Sequence, residues 1–193
     1  DKAKEFAAEQ ISKYKTAVKT YIDGIVNTAL SKIEDQELKT DLTNYYNAET
    51  KKLEAINSID TAKTTAEEIK ADTEEFVKTQ IKKQVDKFKT AAKEKIDGSV
   101  NAALSKIEDQ ELKADLTNFY NTESAKLAAV NNIDTAKATV REIVSDTETF
   151  VKNQLSKQVE KYKTAAKAYI DKIVNAALSK IEDQELKTDL TNY

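Results

Sequence analysis

The chain has 193 residues, 39% of them hydrophobic and 34% charged, with a formal net charge of −3, two Gly and no Pro, Cys, His, Met or Trp. The lack of His and Cys excludes the usual zinc sites, imidazole acid–base chemistry, thiol nucleophiles and disulfides, and a net acidic chain argues against nucleic acid as partner. The apolar fraction supports only thin cores, and a proline-free bias toward Ala, Lys, Glu, Asp, Thr and Leu belongs to long helices rather than disorder.

The stretch SKIEDQEL begins at Ser31, Ser105 and Ser179, so the chain repeats every 74 residues without an insertion. A fixed period of this size marks an array of stacked supersecondary units, not one enzyme domain. It divides the chain into residues 1–10, the divergent end of a preceding helix, then repeat 1 at 11–84, repeat 2 at 85–158 and a partial repeat 3 at 159–193. Glu5–Tyr14 resembles Glu75–Phe88 with four residues fewer, about one helical turn, which keeps a helix helical while rotating its seam.

Repeat 1 opens with Ile11, Tyr14, Val18, Ile22, Ile25, Ala29 and Ile33 at spacings of three and four, which predicts a first helix over about 11–33. In repeat 2, Val85, Phe88, Ala92, Ile96, Val100, Ala103 and Ile107 predict the same helix over about 85–107, with Ser99 standing where Ile25 and Ile173 stand. Gly24 and Gly98 fall inside these helices, and repeat 3 has Lys172 there, so neither glycine serves a left-handed turn; each costs about 1 kcal/mol relative to Ala.

The acidic turn EDQEL follows. Asp35, Asp109 and Asp183 are N-cap candidates, and Glu37, Glu111 and Glu185 lie in the next turn, where the helix dipole favours negative charge. The second helices are predicted over about 36–57 and 110–131, on Leu38, Leu42, Tyr45, Tyr46, Leu53 and Ile56 and on Leu112, Leu116, Phe119, Tyr120, Leu127 and Val130. Loops at Asn57–Asp60 and Asn131–Asp134 end them.

Thr65 with Glu68, and Thr139 with Glu142, have capping-box spacing and predict third helices over about 65–84 and 139–158. Their stripes are Ala66, Ile69, Thr73, Phe76 and Val140, Ile143, Thr147, Phe150. Nothing between Thr65 and Ile107 stops a helix, so the third helix of one repeat is expected to run into the first of the next. The apolar phase shifts through Val77, Ile81 and Val85, a stutter that rotates the seam where a helix leaves one bundle for another. The predicted fold is all-α: tandem three-helix bundles of 74-residue period joined by long shared helices, a rod.

No residue is assigned a catalytic, cofactor-binding or metal role, and no binding residue is identified. Glu34, Asp35 and Glu37 lack the ligand count and the bend glycine of a calcium loop and read as a helix cap. Lys78, Lys82, Lys83, Lys87, Lys89, Lys93 and Lys95 could form an anion patch, but Lys82 becomes Ser156 and Lys95 becomes Tyr169, so a solvated face is preferred. Glu74–Lys78 and Glu148–Lys152 have i,i+4 pair spacing. Of Tyr45–Tyr46 and Phe119–Tyr120, one ring of each pair is expected in the core and the other at its margin, ahead of a partner anchor.

The AALSKI segment, the EDQELK turn and IDTAKATVREI leading into the next helix resemble the short helical repeats of giant Gram-positive surface proteins, the Ebh-, FmtB- and SasC-like arrays, across all 193 residues. The resemblance implies spectrin-like three-helix modules in an extracellular, cell-wall-anchored adhesin, with biofilm or adhesion roles belonging to the parent protein. The function expected is a structural spacer or stalk, without enzymatic activity or cofactor. Its expected partners are neighbouring repeats of the same chain and, through other regions, a host or cell-surface protein; it would be monomeric and not inserted in a membrane. The alternatives are a multivalent binder of host serum or matrix proteins and an intracellular spectrin-like scaffold.

Overall fold

The computed structural model describes residues 2–192, and these are helical almost throughout, with no strand among them. The helices are α1 (Lys2–Lys32), α2 (Gln36–Ala55), α3 (Ile59–Leu104), α4 (Gln110–Ala129), α5 (Ile133–Leu178) and α6 (Gln184–Asn192). The backbone reason is direct. There is no proline to remove a ladder donor, and none of the described residues has positive φ. Helices α3 and α5 are 46 residues each, on the order of 70 Å by the helical rise. The expected run from Thr65 to Ile107 is one helix with no break near Gln80–Val85, but it ends at Leu104, three residues short of Ile107.

Asp35 starts α2 as expected. Its backbone is extended at φ −67° and ψ 125°, and its side chain accepts the Leu38 N–H at 3.0 Å. Asp109 does the same for Leu112 at 3.0 Å, and Asp183 accepts from both Glu185 and Leu186. Helix α2 ends at Ala55 rather than 57, because Ile56 turns extended and donates its N–H to the Leu53 carbonyl; α4 likewise stops at Ala129 rather than 131.

The capping boxes are a correction. Helices α3 and α5 begin at Ile59 and Ile133, so Thr65 and Thr139 lie inside them and cap nothing. Ser58 Oγ accepts the Asp60 N–H at 3.3 Å and Asn132 Oδ1 the Asp134 N–H at 2.9 Å, local caps that allow an earlier start. The gain is burial: the turn this adds brings Ala62 and Ala136 wholly inside.

The helices form two compact units. Unit 1 comprises the chain up to Lys93 together with Leu127–Glu142; unit 2 comprises Glu94–Lys126 and the chain from Ile143 onward. The core of unit 1 lies in two clusters. One joins Val18, Ile22, Leu53, Ile56, Ala62, Ala66 and Ile69. The other joins Val26, Ala29, Ile33, Leu38, Leu42 and Val77, with Ile25 only half-buried beside it. Val26 thus takes the place in the stripe that the spacing gave to Ile25. In unit 2, Val100, Ala103, Ile107, Leu112, Leu116 and Val151 make the corresponding cluster. Phe6 at the start of α1 is 63% exposed, so the likeness of Glu5–Tyr14 to Glu75–Phe88 does not extend to packing.

Candidate functional site

A set of polar contacts gathers on the middle of α3, within unit 1. Val77, Gln80, Gln84 and Val85 are all buried there. Gln84 and Val85 are sequence neighbours, about 100° apart around the helix, so α3 is covered on more than one side at this level. The stutter through Val77, Ile81 and Val85 marks that change of face.

Gln84 is 3% exposed, and its Oε1 accepts two backbone N–H groups of the α1–α2 turn, those of Glu34 and Asp35, each at 2.8 Å. One carbonyl oxygen has two lone pairs, so a single side chain serves both turn donors. Lys87, one turn further along α3, donates to Asp35 Oδ2 at 2.6 Å. That ammonium, helped by the Leu38 N–H, holds the Asp35 carboxyl below its ordinary value of 3.8, and the carboxylate in turn raises Lys87.

The α4–α5 turn belongs to the same unit and meets the same stretch of α3. Lys89 Nζ donates to the carbonyls of Ala128 at 2.8 Å and Val130 at 3.2 Å. These are acceptors left without a partner as α4 ends. Lys32 at the end of α1 pairs with Asp134 at 2.8 Å, and Lys137 pairs with Glu34 at 2.6 Å. Two turns separated by about a hundred residues of sequence are thereby clasped to one another and to α3. The ion pairs are partly exposed, and such pairs are each worth roughly 0–1 kcal/mol; the buried Gln84 bonds matter more. In unit 2 the inner half recurs: Gln158 Oε1 accepts from Glu108 and Asp109 at 3.0 Å each, and Lys161 pairs with Asp109.

The residues singled out from the sequence are thus engaged in structure. Glu34 and Asp35 bind lysines and backbone. Lys87 and Lys89 point at carboxylate and carbonyls, while Lys78, Lys82, Lys83 and Lys95 are exposed. Glu74 accepts the Tyr21 hydroxyl at 2.6 Å rather than pairing with Lys78. Tyr45 stacks on Phe76 with centroids 4.0 Å apart, and Phe119 stacks on Phe150 at 4.1 Å. Burial, then the carboxylates of Glu49 and Asp72, push the Tyr45 hydroxyl up to about 12. Tyr46 donates to Asp23, and Tyr120 to Asp97 at 2.8 Å; all four rings are only half-buried, so both members of each pair sit at the core margin and neither enters the core as expected.

Gln80, Gln84, Glu49 and their counterparts Gln154, Gln158 and Glu123 went unnoticed in the sequence because polar residues read as surface. Their identity in both copies, at helical spacing from apolar neighbours, is the signal that marks them. Among the described residues no three metal-ligating side chains come together, and no helix is long and apolar enough to cross a membrane. No family model, curated protein or solved structure matches the chain.

Proposed function

We propose that this chain is a stretch of tandem three-helix modules with shared helices, acting as a spacer in a bacterial surface adhesin and holding a distal binding region away from the wall. The observation that supports the reading most is α3, a single helix whose residues up to Lys93 belong to unit 1 and whose remainder belongs to unit 2. Bending between two modules that share a helix requires breaking its backbone ladder or inserting a kink, and α3 has no proline at which to kink. The clasp on its middle adds side-chain bonds within unit 1 that hold this helix to two turns. Extracellular placement follows from the resemblance to the Ebh-, FmtB- and SasC-like arrays, and a chain without thiols suits an oxidising exterior.

Immobilised chain offered serum and matrix extract tests the function. A spacer retains no more protein than an unrelated helical control. Retention of one host protein, growing steeply with the number of copies on the chain, would replace the spacer with a multivalent binder.

A further inference from the structure

The two hydrophobic clusters of unit 1 are joined by the half-buried Tyr46, which packs against both, and on α2 and α3 a polar layer lies between them. On α3 it falls between Ile69 and Val77, where Thr73 is 0% exposed; on α2 it falls between Leu42 and Leu53, where Glu49 is 3% exposed. A leucine at 49 would complete the apolar stripe that runs Leu38, Leu42, Leu53. The carboxylate there is only half served. Glu49 Oε1 takes Lys52 Nζ at 2.7 Å, while Oε2 and the neighbouring Thr50 hydroxyl are buried with no hydrogen-bond partner. Thr73 turns its hydroxyl back to the Ile69 carbonyl of its own helix and so links nothing across the layer. At the rim, Lys19, Asp23 and Tyr46 close the layer with mutual hydrogen bonds.

The polar residues of the layer recur in unit 2, beside its single hydrophobic cluster. Glu123 is 2% exposed, with Oε1 on Lys126 and Oε2 unpartnered; the Ser124 hydroxyl is unpartnered, and Thr147 is 0% exposed and bonded to Ile143 of its own helix. Apolar neighbours vary between the copies, Ile56 against Val130 and Ala66 against Val140, whereas Glu and Thr of the layer do not.

We propose that this layer is a built-in break plane at which unit 1 parts into two halves before it unfolds as a whole. Two hydrophobic clusters gain little from one another across a layer that holds unsatisfied carboxylate and hydroxyl oxygens, and opening there returns those atoms to water. Opening is therefore cheapest at this level. The halves of unit 1 are unequal. The Val26–Leu42–Val77 half is pinned by Gln84, by Asp35–Lys87 and by the clasped turns. The Val18–Leu53–Ala66 half has fewer such ties and opens first. Used as a means of lengthening under load, the device rests on the spacer reading; the break plane itself does not.

Hydrogen exchange on the intact chain tests it. Buried amides around Leu53 and Ala66 are expected to exchange about tenfold or more faster than those around Leu38 and Leu42, as a separate group. Equal rates across the layer, with both halves opening together, would overturn the proposal. A second readout uses E49L/T73V: the filled layer is expected to raise Tm by about 4 °C or more and to merge the two exchange groups into one. An unchanged or lowered Tm, or a variant that fails to fold, would equally overturn it, since the layer would then be contributing to stability rather than limiting it.

Discussion

At the scale of single residues, three positions carry less side chain than the fold has room for. Gly24 and Gly98 have no positive φ, and a Cβ built at either meets nothing within 4 Å. Alanine there removes unfolded-state freedom without a clash, so G24A and G98A are each expected to stabilise the chain by about 0.5–1 kcal/mol, seen as additive increases in urea midpoint; a lowered midpoint would mean the glycines serve something the backbone does not reveal. Ser99 is the third. Where Ile25 packs against the core of unit 1, Ser99 lines an open groove of about 450 Å³ together with Val151, Leu155 and Val159. S99I is expected to fill part of it and add roughly 1 kcal/mol to unit 2, read as slower exchange at Val100 and Leu116. The glycines were legible in the sequence because Lys172 replaces them in the third copy. Ser99 was legible as a misfit beside Ile25 and Ile173, but the groove it opens was not, since that depends on what α5 presents opposite.

At the scale of elements, helix type and the three aspartate caps could be read from residue spacing, while the starts of α3 and α5 could not. A Thr-x-x-Glu pattern competes with Ser58 and Asn132 as a start signal, and the competition is decided by burial of Ala62 and Ala136, which local chemistry does not encode. The turn between α1 and α2 was likewise half legible: Asp35 announces itself, but Gln84 arrives from 49 residues away. Its removal tests the turn. Q84A leaves two turn N–H groups without their acceptor and is expected to cost about 1–2 kcal/mol, with faster exchange at Glu34 and Asp35. Acid tests the cap. Because Lys87 and the Leu38 N–H hold Asp35 below its ordinary 3.8, its contribution is complete above that value and is lost as pH falls through the lower folded value. Asp109 is lowered in the same way by Lys161 and Leu112. D35N/D109N keeps a capping side chain but not the charge, so the wild-type advantage in Tm is expected to hold at pH 6 and shrink below about pH 4. A gap that stays constant with pH would show that the charge contributes nothing.

At the scale of the whole molecule, the question is whether a helix held in common makes its two units share their stability. The 74-residue repeat was visible at once in the sequence, and so was the lack of any stop signal across residues 65–107. Less visible was that the α4–α5 turn packs within unit 1, which follows from lysines reaching backbone carbonyls and from ion pairs between segments a hundred residues apart. With α3 common to both units, local damage to it has two ways to be felt. If the helix is only a tether, a defect at its centre weakens unit 1 alone. If it is a structural member of both, the damage spreads, because fraying from the defect removes ordered residues against which the second core is built. Lys82 is exposed, midway along α3, and on the unit 1 side of the division. Proline there removes one backbone donor and clashes with the preceding turn, at about 3 kcal/mol. K82P is expected to speed exchange not only at Val77 and Leu38 but also at Ile107, Leu112 and Leu116 in unit 2, none of which is near the substitution in sequence. Unchanged protection at those three residues would make α3 a tether, and a tether between independent units holds nothing at a fixed distance.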